Sequence, residues 1–180
     1  MFLKDDCIEL RALEPEDLPL LYRWENDTTL WCFGGTTSPF SRHALTEYVN
    51  EFSHRDIYEV GQLRLAIEEL SLRHTIGLVD LFDLDIHNRR AAVGILIDPD
   101  FRKQGKATTA LNLLAAYAFH FLHLHQLYVH IPVDNPASLA LFRRCGYRDA
   151  GRLVEWAIRP DTSFVDTFIF QLFSPALSFK

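Results

Sequence analysis

The spacing of apolar and polar positions changes period several times along the chain, and each change marks an element. Residues 7–13 (CIELRAL) alternate as a half-buried strand does, and 14–24 (EPEDLPLLYRW) then set acids and a proline ahead of leucines, which starts a helix. Residues 28–40 (TTLWCFGGTTSPF) have no period and mix glycine, threonine, proline and large aromatics; they predict a surface loop able to act as a lid. Ser41 is placed to cap a helix over 42–52. Three strand-like runs follow at 62–70, 74–86 and 89–98, separated by polar turns, and predict an antiparallel meander. Residues 108–122 are rich in alanine and leucine and predict a largely buried helix, followed by a strand over 126–133. Asn135 before Pro136 reads as an N-cap and a first helical residue, so 136–145 should be helical and stop at Gly146. Residues 152–159 and 164–173 close the chain as a hairpin around PDTS. The sum is a mixed α/β domain around one sheet, spanning 1–180.

Composition narrows the function. The 180 residues are 48% hydrophobic, ample for one core, and carry a net charge of -6. That acidity argues against nucleic acid or an anionic membrane as partner. Cys7, Cys32 and Cys145 lie far apart with no CxxC pairing, as expected in a reducing compartment. The segment MFLKDDCIEL has acids where a signal peptide would carry an apolar run, and no uncharged stretch is long enough to span a bilayer. A soluble, cytoplasmic protein is expected.

Against this acidic background, FRKQGKATTAL (101–111) gathers Arg102, Lys103 and Lys106 around Gly105 where a strand hands over to a helix. Backbone N–H groups are unpaired at a helix start, and the helix dipole is positive there, so the segment suits a phosphate. Gly105 allows close approach or a positive φ, Gln104 lies in the loop, and small Ala107, followed by Thr108, keeps the helix start open. The segment is neither GxxxxGK[ST] nor GxGxxG, which argues against nucleoside triphosphates and nicotinamide cofactors. Some thirty residues on, Asn135 and Ser138 open a second helix that can meet the same ligand. The histidines at 120, 123 and 125 lack an acid or cysteine at ligand spacing and are read as structural, with no metal expected.

Arg102-x-x-Gly105-x-Ala107 resembles the pyrophosphate-binding motif of the GNAT superfamily of acetyl-CoA-dependent N-acetyltransferases. NPASLALFRRCGY resembles that family's downstream helix, and the similarity runs from IELRALEPEDL to the final hairpin. It is nearest to the spermidine acetyltransferases and the ribosomal-protein amino-terminal acetyltransferases. The resemblance implies a single GNAT-type α/β domain with a mixed sheet, flanking helices and a splayed strand pair at the CoA cleft. It also implies acetyl-CoA as co-substrate, bound along Ile95, Leu96 and Ile97, by the loop from Arg102 to Thr108, and by Asn135, Ser138 and Phe142. A bulge at Ile97 would free its N–H to polarise the thioester carbonyl and stabilise the oxyanion.

The family's usual acid is a tyrosine where this chain has Phe142, which is left to apolar packing near the thiol, while a water held by Asn135 is another route for the proton. The polyamine enzymes carry a substrate-facing acid that falls on Asp83 and another where this chain has Ala92. The attacking amine needs a base, for which carboxylates near the cleft are the natural candidates: simple alternation puts Asp80 on one strand face and Asp83 and Asp85 on the other, and Asp83 is taken as the catalytic one. The helix-to-helix segment, acidic in those enzymes, reads FGGTT here, with Glu25 and Asp27 nearby. The resemblance thus implies acetyl transfer to a primary amine in a ternary complex, the acceptor being a small amine, a polyamine or a protein amino terminus. It lies between residues 28–40, the Asp83 strand and the closing hairpin. A CoA-binding sensor with little catalysis is the alternative, and both a monomer and a homo-oligomer fit the sequence.

Overall fold

In the computed structural model, which describes residues 2–52 and 55–175, the first alternating run forms β1 (Ile8–Arg11). A short 3-10 turn at Pro15–Asp17 then leads into α1 (Leu18–Glu25); Glu14 and Asp17 cap each other's backbone, and Leu21 and Trp24, one turn apart, face inward. The expected loop is in part a helix, α2 (Thr28–Gly34). Asp27 accepts a hydrogen bond from Thr29 N–H at 2.9 Å, and Gly35, at φ 74°, ends the helix. A capping acid and a left-handed glycine therefore overrode the weak helix propensity between them. Ser41 accepts from Ala44 N–H at 3.0 Å and opens α3 (Arg42–Phe52), as predicted. A single-turn helix not anticipated from the sequence, α4 (Ile57–Val60), precedes β2 (Leu63–Glu69), β3 (His74–Asp85) and β4 (Arg90–Ile97). Then come α5 (Lys106–His120), β5 (Gln126–Pro132), α6 (Pro136–Arg144), β6 (Arg148–Ile158) and β7 (Phe164–Phe173).

Among the described residues these strands make one sheet in the order β1-β2-β3-β4-β5-β7-β6. The meander β2-β3-β4 is antiparallel as expected, and β1 joins its outer edge. Only β4 and β5 run parallel, because α5 carries the chain back across one face between them. On that face Ala110, Leu111, Leu114 and Ala118 of α5 pack against Ile76, Val79, Leu81, Val93 and Leu127. On the other face α1 and α3 cover the meander with Leu21, Trp24, Leu45 and Val49 over Ala66 and Leu78. The two strands at the heart of the meander press close at Gly77, where a Cβ would fall 2.2 Å from Leu96 O, so that no side chain fits.

A buried polar knot ties the amino-terminal elements to the sheet. Asp17, 4% exposed, accepts two hydrogen bonds from Arg11 at 2.7 and 3.0 Å and one from Thr75 at 2.6 Å, while Arg11 also donates to Glu68 at 2.6 Å. No helix among the described residues is long and apolar enough to cross a membrane.

Candidate active site

Parallel pairing of β4 with β5 extends only from Arg90↔Gln126 to Ala92↔Tyr128, after which the strands part. The β3–β4 ladder meanwhile continues in regular register from Phe82↔Ala92 to Gly77↔Ile97, and Asp98 N–H donates to Ile76 O at 2.9 Å. By alternation the N–H groups of Ile95 and Ile97 point away from β3, toward the side that β5 has left. The expected bulge at Ile97 is therefore absent: divergence of the neighbouring strand frees the N–H instead. Leu96 departs from expectation as well, since its N–H turns back to β3 and its side chain packs against the α1–α3 core.

At the carboxyl end of β4 the chain is pinned before it turns. Asp98, 4% exposed, accepts from Trp24 Nε1 at 2.9 Å, from Arg23 and from Asp100 N–H, and so starts a 3-10 turn over Pro99–Phe101. Arg102 Nε then donates to Ile97 O at 2.9 Å, which ties that guanidinium to the rim of the cleft with both terminal nitrogens unbonded among the described residues. Lys103 at φ 61° and Gly105 at φ 80° are both left-handed, and together they curl the loop into the first turn of α5, which no side chain caps. Those open backbone donors and the Arg102 and Lys103 charges fit a pyrophosphate.

Lys106 does not join them as expected. Its Nζ pairs with Glu69 at 2.7 Å on the far side of the helix start, because the first residue of the helix points its side chain back over β2 rather than into the loop. Gln104 donates weakly to Asp100 O at 3.4 Å, and Thr108 N–H closes on Gly105 O at 3.0 Å, with Ala107 packed against the core between them.

Across the opening, Asn135 Oδ1 caps α6 by accepting Ser138 N–H at 3.1 Å, and the Asn135 Nδ2 amide has no partner among the described residues. Phe142 is buried to 2% exposure and meets Tyr147 edge to face at 5.0 Å, so it underlies the cleft as core. Tyr147 is no substitute acid, since burial pushes its phenol far above the ordinary range.

Two features escaped the sequence reading. Arg159, on the hairpin turn, pairs with Asp134 at 2.5 and 2.7 Å, donates to Cys32 O at 3.1 Å and lies 5.4 Å over the Phe33 ring. It therefore joins α2, the start of α6 and the hairpin at one rim of the cleft. Under α1, Arg64 binds Glu25 and Asp80, each at 2.6 Å, and stands 5.5 Å over the Tyr48 ring. Burial raises the Asp80 carboxyl above its usual range against the pull of Arg64. Both clusters join residues distant in sequence, and a lone arginine in the sequence does not announce its partner. Asp83 also departs from simple alternation: it sits at φ 49° in a bulge between Phe82 and Asp85, and its carboxylate is exposed.

A parallel strand pair opening at its carboxyl end, beside an uncapped helix start with two free cations, defines an acyl-CoA cleft. Residues 8–148 match the acetyltransferase (GNAT) domain family, and the chain belongs to it: it is an acetyl-CoA-dependent N-acetyltransferase acting on an amine. Among its relatives, the spermidine N(1)-acetyltransferase of Vibrio cholerae is 31% identical over 148 residues, covering 82% of this chain and 83% of that one. The putative ribosomal N-acetyltransferase YdaF of Bacillus subtilis is 34% identical over 82% of this chain and 81% of its own. In three dimensions the Vibrio cholerae spermidine N-acetyltransferase, solved with CoA and spermine, matches with a TM-score of 0.84 at 28% identity, over 94% of this chain and 97% of that one. The same enzyme is also described in a dodecameric structure, TM-score 0.78 at 28% identity over 94% of this chain and 95% of that one.

Proposed function

We propose that the acceptor is a small aliphatic polyamine, and that it meets acetyl-CoA at the mouth of the β4–β5 opening. The observation that carries this reading is the exposed Asp83 carboxylate, set on the sheet face beside the cleft by the β3 bulge. The likeness to spermidine acetyltransferases supports it. Asp83 stands without the second acid, Ala92 taking that place, and the Glu25–Asp80 pair already shares Arg64, so the polyamine is held by fewer free charges than the number of nearby acids suggests.

The donor's pyrophosphate lies on the N–H groups from Gln104 to Ala107, with Arg102 and Lys103 balancing its charge. Ile95 and Ile97 N–H groups follow the pantetheine arm, Ile97 N–H stabilising charge as it develops on the thioester oxygen. Asn135 Nδ2 orients the thiol end, and Ser138 belongs to the same helix start. With Phe142 unable to give a proton, the thiol leaves as thiolate, which its ordinary pKa of about 8.5 allows near neutral pH.

The same reading extends to assembly. Val154, Trp156 and Ile158 stand 72, 61 and 57% exposed on the edge strand β6, an apolar strip that suits a second copy of this chain. The dodecameric relative supports a homo-oligomer.

The deciding experiment measures thiol release from acetyl-CoA with spermidine, spermine, simple monoamines and peptides bearing free amino termini. We expect kcat/KM for a polyamine to exceed that for monoamines and peptides by about tenfold or more, a gap of about 1.4 kcal/mol in transition-state binding. A peptide or monoamine turned over as well as spermidine would overturn the polyamine assignment.

A further inference from the structure

Before an amine attacks it must lose a proton, because an alkylammonium of pKa about 10.4 is only about a thousandth neutral at pH 7.4. The acceptor of that proton has to lie where the strands begin to part. Along β5, Leu127, Val129 and Ile131 face the α5 core and are buried, so Tyr128 and His130 face the opposite side. Tyr128 is the last residue of β5 paired with β4, opposite Ala92. His130, the next on that face, is level with Gly94, and so stands at the point of divergence.

Around His130 the side chains are arranged to leave it reachable. Tyr128 meets it edge to face, ring centroids 5.7 Å apart. Its neighbour across β7 is Ile169, which carries no charge. On β4 the same face carries Ala92, Gly94 and Leu96, with the Phe82 ring beside Gly94, and the Asp80 carboxylate next to Gly94 is held by Arg64. Asp85 and Arg90 pair with each other at 3.0 Å. Asp83 stands in the β3 bulge beside Ala92, and Ala92 is the last β4 residue paired with β5, so one small side chain separates the carboxylate's strand position from the face that carries Tyr128 and His130.

Resting on the acetyl-transfer reading of the cleft, we propose that His130 takes the proton from the acceptor ammonium and that Asp83 is the positioning residue that stabilises the imidazolium formed. Burial holds the His130 ring below its ordinary pKa, with Asp83 pulling the other way, so the ring is neutral and open to a proton at pH 7. The ammonium gives one proton to His130, which returns it to solvent. The freed lone pair forms the N–C bond, the C–S bond breaks with its electron pair on sulfur, and the second nitrogen proton passes to the thiolate through water. The Ala92 position, which lacks the expected acid, thus leaves room for a histidine and aspartate arrangement that spans it.

The test compares wild type with His130→Gln and Asp83→Asn, using whichever amine the wild type turns over fastest; failure of the polyamine assignment appears separately, in the wild-type acceptor panel. For His130→Gln we expect kcat/KM for the amine to fall about 100-fold at pH 7. The acidic limb of the pH profile, with its midpoint at or below about 6.5, should disappear, while CoA affinity and thermal stability stay unchanged. Near pH 9.5, or with an acceptor amine of low pKa, the variant should approach wild type, because neutral amine is then abundant without a base. Asp83→Asn should move the acidic limb to lower pH with a smaller loss of rate. An unchanged kcat/KM in His130→Gln, or a loss equally deep at pH 9.5 and with the low-pKa amine, would overturn the proposal.

Discussion

Gly105 shows how a single backbone angle would serve the proposed donor site. Its φ of 80° lies where L-residues with a β-carbon are strained, and a Cβ built there meets no protein atom within 4 Å. On the proposed donor site, the ligand would occupy that open side of the loop. Gly105→Val should cost about 1 kcal/mol of stability from the left-handed angle and lower CoA affinity at least tenfold. Isothermal titration with CoA, alongside a melting curve, separates the two effects; a folded variant with wild-type affinity would remove the loop from the donor site. Lys106, three positions from Lys103, teaches the opposite lesson. A lysine in a basic loop looks like a phosphate ligand, yet Glu69 captures it at 2.7 Å, with only 15% of its side chain exposed.

At the scale of elements, the Arg11, Asp17, Thr75 and Glu68 knot fastens β1 and the 3-10 turn before α1 to β2 and β3. Burial works to raise the Asp17 carboxyl, but hydrogen bonds from Arg11 and Thr75 prevail and hold it below the usual carboxylate range. A folded-state pKa below the unfolded value near 3.9 means that this stabilisation is complete above about pH 4 and is lost as pH falls through the folded pKa. Asp17→Asn should lose about 2 to 3 kcal/mol at neutral pH and show a flatter fall in stability below pH 4. Urea unfolding at pH 7 and at pH 3 checks both, and parallel pH profiles for variant and wild type would refute the account. The knot also orients α1, whose Trp24 Nε1 holds Asp98 at the end of β4, so its loss should be felt in the donor loop.

Over the whole molecule, the proposed assembly turns on the edge of the sheet. β6 is the outermost strand, and Trp156 on it is 61% exposed beside Val154 and Ile158. The strand is already interrupted by a bulge between Leu153 and Ala157, with Glu155 at φ 49°, yet three large apolar side chains stand exposed around it, which argues for cover. Sedimentation analysis should find the protein larger than its 20.8 kDa chain. Trp156→Glu should shift it toward the monomer while the CoA-dependent rise in melting temperature persists. A monomeric wild type would refute the assembly reading.

Most elements were legible from local chemistry. Alternation marked the strands, Ser41 and Asn135 marked helix starts, and Gly105 marked the turn into α5, since periodicity, capping and turn residues act within a few positions of the chain. The proposed donor half of the site was legible because it consists largely of backbone N–H groups, whose availability follows from where a strand ends and a helix begins. What no local pattern could determine was which distant groups would meet: Arg159 with Cys32 and Asp134, Arg64 with Glu25 and Asp80, and Lys106 with Glu69. Those pairings depend on strand order, as the place of Asp83 depends on a β3 bulge that breaks alternation, and both follow from packing the whole sheet between its helical layers. The chain's own residues thus determined a basic, glycine-turned loop at a helix start on an α/β frame, while tertiary structure decided which charges were spent on the frame and which stayed unpaired.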